Sequence, residues 1–317
     1  MEAYSDFATV YDTFMDETPY EIWGDYVDGL IQKYGVSKAY SCEDVGSAEN
    51  SGDLNSDDVD IQEALNEERN LVVELGCGTG SFTQIMKKKG YDIMGIDMSS
   101  DMLNIARNKA VKEGLDIMYL EQDMRELDLY CTAGTIVSVC DSVNYLLEDD
   151  DVIETFKLVN NFLFPKGVFI FDFNTLHKYR DVIGDATIAE NRDDCSFIWD
   201  NYYHEDEHIN EYDLTIFVRE GAGKSAGDGA ESAENGEDEA DHDVIEDATT
   251  EEYDVNDGGL FRRFSETHYQ RGYTLDEMKS FVKAAGMELV TVIDADTHEE
   301  PTEDSERIYV VARECGK

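Results

Sequence analysis

The chain has 317 residues, with 73 acidic and 25 basic side chains and a formal net charge of −48. A field of that sign repels nucleic-acid phosphates and anionic membranes and leaves small neutral or cationic molecules as partners. No apolar run reaches the roughly 20 residues that a membrane-spanning helix needs. The length suits one large or two small domains. The six cysteines include no C-x-x-C pair, and Cys77 and Cys140 stand in glycine or apolar surroundings, the pattern of reduced thiols. The start, Met1-Glu2-Ala3-Tyr4, has no basic and apolar signal. These features point to the cytoplasm.

In chain order, residues 1–40 read as a helical segment. An aromatic stretch from Tyr4 to Met15 leads to Thr18-Pro19-Tyr20-Glu21, which predicts Thr18 as an N-cap, proline at N1 and Glu21 at N3. Ile22, Trp23, Tyr26, Val27, Leu30, Ile31 and Tyr34 follow at helical spacing, and Gly35 ends the run. Residues 41–68 are acidic and polar with few large apolar side chains. They are expected to form a loose insertion with a short helix near Ile61 to Asn66.

Leu71 to Leu75 is an apolar strand. Gly76-Cys77-Gly78-Thr79-Gly80 is a tight turn, and Phe82, Ile85 and Met86 mark a helical face. Strand, glycine turn and helix open a nucleotide-binding α/β unit. A dinucleotide fingerprint reads G-x-G-x-x-G, whereas the spacing here is G-x-G-x-G. Glu74 stands just before the first glycine, where it repels a pyrophosphate and attracts a cation. This E-x-G-x-G-x-G stretch resembles motif I of the class I S-adenosylmethionine-dependent methyltransferases. The resemblance implies that Glu74, Gly76, Cys77, Gly78 and Gly80 surround S-adenosylmethionine. The Tyr11-Asp12 pair ahead of an aromatic helix is similar to the N-terminal segment of the small-molecule members, such as the glycine and sugar-amine N-methyltransferases. It implies that Tyr11 closes over the cofactor near its methyl group, with Trp23 as a second contact.

Tyr91 to Asp97 is the second strand. An acid at this point accepts hydrogen bonds from the ribose hydroxyls in the family, which points to Asp97 with Met98 beside it. Ser99 or Ser100 can cap the following helix, which stops near Gly114. After a third strand, Leu115 to Leu120, the resemblance places Asp123 near the adenine amino group and Met124 on the ring. A turn cap is the plain reading of Asp123. Thr135 to Cys140 is the fourth strand, and Asp141-Ser142-Val143-Asn144-Tyr145 matches motif IV. Cys140 is then expected to line the cofactor, with Asp141 a polar group at the reacting centre. A solvated loop acid is the plainer reading of Asp141. Glu148 to Asp151 suit the N-terminus of the next helix. Pro165-Lys166-Gly167 reads as a turn, and Val168 to Asn174 as the fifth strand, which adds Asp172 and Asn174 as site candidates.

From Phe197 to Tyr203, Ile209 to Arg219 and Phe261 to Gln270 the pattern alternates, as in antiparallel strands. Residues 177–271 are therefore expected to be an inserted subdomain beside the substrate. It is interrupted by 220–257, an acidic Gly/Ala/Ser-rich segment whose composition predicts disorder and no part in catalysis. His204-Glu205-Asp206-Glu207-His208 has the letters of H-x-x-E-H but lies between two strand patterns, so a hairpin turn is expected instead of a metal site. His268, Gln270 and Arg271 precede the last helix and are candidates to face the substrate, with a paired strand residue as the plainer reading of His268. Thr274-Leu275-Asp276-Glu277 is a capping box. Met287 to Asp294 and Arg307 to Arg313 form a closing hairpin.

The fold class expected is α/β: a Rossmann-like, doubly wound seven-stranded sheet from 69–176 and 272–317, with a small inserted antiparallel subdomain. The resemblance implies transfer of a methyl group from S-adenosylmethionine to N or O of a small molecule, with Asp141, His268 and Tyr11 as catalytic candidates and no metal. Two other classes fit parts of the pattern. A nicotinamide-dependent oxidoreductase is disfavoured by the glycine spacing and Glu74. A cofactor-binding protein without transfer activity would show binding and no turnover.

Overall fold

The computed structural model describes residues 7–40, 56–219 and 260–317. A seven-stranded sheet runs β10-β11-β5-β4-β1-β2-β3. Its strands are β1 (Val72–Leu75), β2 (Ile93–Asp97), β3 (Met118–Glu121), β4 (Ala133–Ser138), β5 (Leu163–Asn174), β10 (Glu288–Asp294) and β11 (Arg307–Arg313). The first five are parallel, while β11 runs antiparallel to both β5 and β10. Both faces are covered, so the central strands are mostly apolar, as parallel strands tend to be, with Glu74 of β1 as a buried exception. Phe169, Phe171 and Phe173 of β5 enter the core shared with α6 (Asp149–Phe162) and α7 (Leu275–Ala284). Val168 and Ile170 enter the opposite core, under α2 (Tyr20–Tyr34) and α4 (Ser81–Lys88). The period-two alternation of strand side chains distributes them in this way.

A second sheet, β6-β7-β8-β9, is antiparallel. It comprises β6 (Ala186–Asn191), β7 (Cys195–His204), β8 (Ile209–Arg219) and β9 (Phe261–Arg271). His204 to His208 is the β7–β8 hairpin turn, as the alternation implies. Helix α1 (Ala8–Phe14) lays Val10 against Cys195, Tyr212, Leu214 and Ile216 of this sheet. Phe14 meets Phe197 edge to face at 4.8 Å.

Several boundaries differ from expectation. Thr18 does not cap α2: its hydroxyl turns to Met15 Sδ, and Pro19 occupies the cap without a side-chain bond. A helix, α3 (Ser56–Asn70), takes the end of the region expected to be loose, while 41–55 lies outside the described residues. Its last turn is tied down by tertiary contacts, with Glu68 accepting from Thr132 and the Arg69 carbonyl accepting from Ser37. Composition alone does not reveal such anchors. Pro165-Lys166-Gly167 lies within β5, where Lys166 has φ 65° and the pairing with β4 shifts from Ala133–Leu163 to Thr135–Val168; the turn became an irregularity within the strand. β6 and a π-helical turn, Lys178–Ile183, carried no recognised periodicity. The 220–257 segment lies outside the described residues. Among the described residues no helix is long and apolar enough to cross a membrane.

Candidate functional site

β1, β2, β3 and β4 all end at one edge of the sheet, and the chain leaves each by a tight turn. A cavity of about 340 Å³ opens there, in the crevice where open α/β sheets take ligands. Gly76, Gly78 and Gly80 all have positive φ. A Cβ on Gly76 would lie 2.5 Å from Ser142 Oγ, and one on Gly80 2.5 Å from Tyr119 Oη. The outer two glycines thus let neighbouring turns pack. At Gly78, with φ 52°, a Cβ would meet nothing within 4 Å. Gly76, Cys77 and Gly78 line the cavity; Gly80 does not, and serves as the left-handed cap of α4.

Asp97 ends β2 beside this loop. One carboxylate oxygen accepts the Gly78 N–H and the other the Ser99 N–H, both at 2.8 Å. Burial raises its pKa, and these N–H groups oppose the rise. Met98, next in the chain, also lines the cavity. Glu74 is 2% exposed and accepts the Thr83 hydroxyl. Burial pushes its carboxyl up to about 8; the Thr83 bond opposes this and the Asp97 charge adds to it.

Asp123 and Met124 line the same cavity from the turn after β3. Asp123 caps that turn, accepting the Arg125 N–H at 2.9 Å, and pairs with the Arg125 guanidinium at 2.6 Å. The guanidinium holds the Asp123 carboxyl below the usual carboxylate range. Among the described lining residues four are acidic, namely Glu74, Asp97, Asp101 and Asp123, while Arg125 is the only Lys or Arg and is already paired. Such a wall suits a cation and opposes a phosphate ester.

Tyr11 and Tyr20, from the N-terminal segment, also line the cavity. α1 is fixed there by Asp12, which accepts from Thr79 Oγ1 at 2.6 Å and from Lys109 Nζ at 2.8 Å; Lys109 also donates to Ser81 Oγ at 2.8 Å. Sequence reasoning missed Thr79 and Lys109, because nothing local links α5 (Ser100–Glu113) to the N-terminus. It also missed Tyr20, Ser142 and Tyr145, which line the cavity.

Motif IV is wound tightly, with Cys140 and Asp141 at φ 60° and 53°. Non-glycine residues in this region cost about 1 kcal/mol each or more. Asp172, fully buried, compensates: its carboxylate accepts the Cys140 N–H at 3.1 Å and the Asp141 N–H at 2.7 Å. Burial raises the Asp172 pKa and Arg307 opposes it. Cys140 lines the cavity, with its thiol pushed well up by burial.

Besides Gly80, the expected site residues Trp23, Asp141, Asp172, Asn174, His268, Gln270 and Arg271 are not among those that line the cavity. Asp141 turns away, accepting from Gln270 Nε2 at 2.7 Å and Arg307 Nη2 at 3.1 Å. Trp23 lies under the Arg307 guanidinium at 5.1 Å. His268 sits behind the wall, 1% exposed, with Nδ1 3.2 Å from the hydroxyl of Tyr145. The sequence points to Asp141 through motif IV, to Trp23 through the resemblance of the N-terminal segment and to His268 through its place before the last helix; the neighbours Arg307, Gln270 and Tyr145 come from other elements. Asn174 accepts from Lys178 Nζ at 3.0 Å, and Arg271 pairs with Asp149 at 2.7 Å.

Residues 72–167 match the family model described as a methyltransferase domain. The chain is 30% identical over 311 residues to the Bacillus subtilis protein YqeM, whose name assigns it provisionally to the methyltransferases; the match covers 98% of this chain and 96% of that one. A Geobacillus sp. (strain WCH70) protein of the same provisional description is 27% identical over 310 residues, covering 98% and 99% of the two chains. The fold is similar to the crystal structure of an S-adenosylmethionine-dependent methyltransferase from Clostridium acetobutylicum, with TM-score 0.69, 22% identity and coverage of 99% and 100%. With its sheet order, its acid-lined crevice and these relatives, the chain belongs to the class I S-adenosylmethionine-dependent methyltransferase family.

Proposed function

We propose that the protein transfers the methyl group of S-adenosylmethionine to a nitrogen or oxygen of a small molecule held between the cavity and the inserted sheet. The observation that carries this reading is that Glu74, Asp97, Asp101 and Asp123 line one cavity together with Tyr11, Tyr20 and Tyr145. When bound, the cofactor supplies a methyl group on a positively charged sulfur. Asp97 is the group to accept the ribose hydroxyls, and Asp123 and Met124 the groups for adenine. Glu74 offers its carboxyl to the ammonium of the amino-acid portion, ionising as that cation binds. Gly78 leaves room for the ligand against its backbone. Tyr11 places the sulfonium through its hydroxyl or ring. Transfer is in line, so these residues accelerate it by alignment and by excluding water.

The acceptor is small because the inserted sheet, α1 and the turn after β4 converge over the site, as the Tyr145–Tyr212 contact at 2.9 Å and the α1 packing indicate. The acidic surface favours a neutral or cationic acceptor over nucleic acid. The test is incubation with isotopically labelled S-adenosylmethionine and a bacterial metabolite extract, with methylated products read by mass. Labelled amines or ethers of low mass are expected. Tight cofactor binding with no product across amine, hydroxyl and carboxylate acceptors would leave a cofactor-binding protein without transfer activity.

A further inference from the structure

The inward face of β9 breaks the usual rule for a sheet. Residues two apart share a face, and the buried positions here are Glu266, His268 and Gln270, at 5%, 1% and 4% exposure. Three polar side chains in succession inside a sheet are costly unless partnered. Gln270 is accounted for by Asp141 and by the Tyr179 hydroxyl, which donates to it at 2.9 Å. Glu266 and His268 belong to a different chain of contacts, and it leads to the cavity. Tyr145, in the cavity wall, has its hydroxyl 3.2 Å from His268 Nδ1 and 2.9 Å from the hydroxyl of Tyr212. His268 Nε2 is 3.5 Å from Glu266 Oε2. Tyr212, directly opposite His268 in the β8–β9 register, stacks on the imidazole at 4.8 Å with the planes 9° apart. The other carboxylate oxygen of Glu266 accepts the Phe7 N–H at 3.0 Å, at the start of α1.

We propose that Tyr145, His268 and Glu266 form a proton relay that removes the acceptor's proton during methyl transfer; this rests on the methyltransferase reading above. The acceptor X–H attacks the methyl carbon, forming X–C, while the C–S bond breaks and sulfur keeps the electron pair. The proton on X passes to the Tyr145 oxygen as the Tyr145 hydroxyl proton passes to His268 Nδ1. The imidazolium so formed faces the Glu266 carboxylate and the Tyr212 ring, which both stabilise a cation. The catalytic residue is Tyr145; His268 and Glu266 act through it. The acceptor class is one that bears a hydrogen on its nucleophilic N or O. Because Glu266 also holds the start of α1, closing Tyr11 over the cofactor and orienting His268 use one carboxylate.

The relay requires neutral His268 to carry its proton on Nε2, facing Glu266. Nitrogen-15 spectra of the full chain labelled at histidine test this without any acceptor. An unprotonated Nδ1 at His268, assigned by its loss in His268→Gln, is expected, and a protonated Nδ1 in the neutral ring overturns the relay. In the labelled-extract assay, Tyr145→Phe and His268→Gln should lower product formation at saturating cofactor by about 100-fold or more, the lower end of general-base effects. The S-adenosylhomocysteine affinity of His268→Gln, whose side chain lies behind the cavity wall, should stay within about threefold by calorimetry. Product within about threefold of the unsubstituted protein would overturn the relay and leave the methyltransferase reading standing. Failure of the unsubstituted protein to bind S-adenosylhomocysteine would sink that reading and the relay with it, whereas a protonated Nδ1 with cofactor binding intact would sink the relay alone.

Discussion

Replacing Glu74 by Gln separates two roles that the same carboxyl plays. Glu74 lies in a central strand, is 2% exposed and is pushed by burial up to about 8 from an ordinary 4.5. The folded protein therefore binds more protons than the unfolded chain between those values. Stability contributed by the raised pKa is fully present below 4.5 and is lost as pH rises through 8. At about 1.4 kcal/mol per unit, the cost of ionising the buried group is capped at roughly 5 kcal/mol. Gln has no such titration and can still accept the Thr83 hydroxyl. Urea unfolding at a series of pH values is the assay. The two proteins should be close in stability at pH 5, and Glu74→Gln should gain on the unsubstituted protein as pH rises to 9, by up to a few kcal/mol. The cationic cofactor reverses the preference. It favours the ionised carboxyl, so binding releases a proton, and affinity should strengthen toward pH 8 more steeply with Glu74 than with Gln. Parallel pH–stability curves for the two proteins would refute the burial argument, and equal pH slopes of cofactor affinity would refute the placement of Glu74 against the ligand.

Gly78→Val fills the open space at the loop centre and strains a left-handed backbone. It should cost cofactor affinity by on the order of 100-fold or more in calorimetry, since the strain alone is only about 1–2 kcal/mol of stability. Asp172→Ala removes the carboxylate that accepts both motif IV N–H groups and faces Arg307, so urea unfolding should show a loss of about 3–5 kcal/mol. Asp12→Ala frees Thr79 and Lys109, a partly exposed contact. Global stability should change by about 1 kcal/mol or less, while limited proteolysis within α1 should accelerate in the absence of cofactor and slow when it is added.

What the sequence determined about this protein is what local periodicity and a short motif encode. The mostly apolar runs at β1, β2, β4, β5 and β11 are rich enough in β-branched and aromatic residues to be buried on both faces, with Glu74 and Asp172 as acids within them. G-x-G-x-G after β1 required a turn with positive φ, and Thr274 with Glu277 required a helix start, since each involves atoms only a few residues apart. Glu74, Asp97, Asp123 and Met124 were legible because they sit at fixed distances from those elements. Tertiary structure alone decided which side chains reach the cavity. Asp141 is turned aside by Arg307, 166 residues away in the chain, and Trp23 is covered by that same guanidinium. His268 was recognisable as a reactive residue type, yet its place behind Tyr145 follows from how the inserted sheet seats against the turn after β4. Asp12 meets Thr79 and Lys109, which are 67 and 97 residues away. Pairings at such separations leave no periodic trace in the chain, because they are selected only after apolar burial has brought distant elements together and each polar group left there needs a partner.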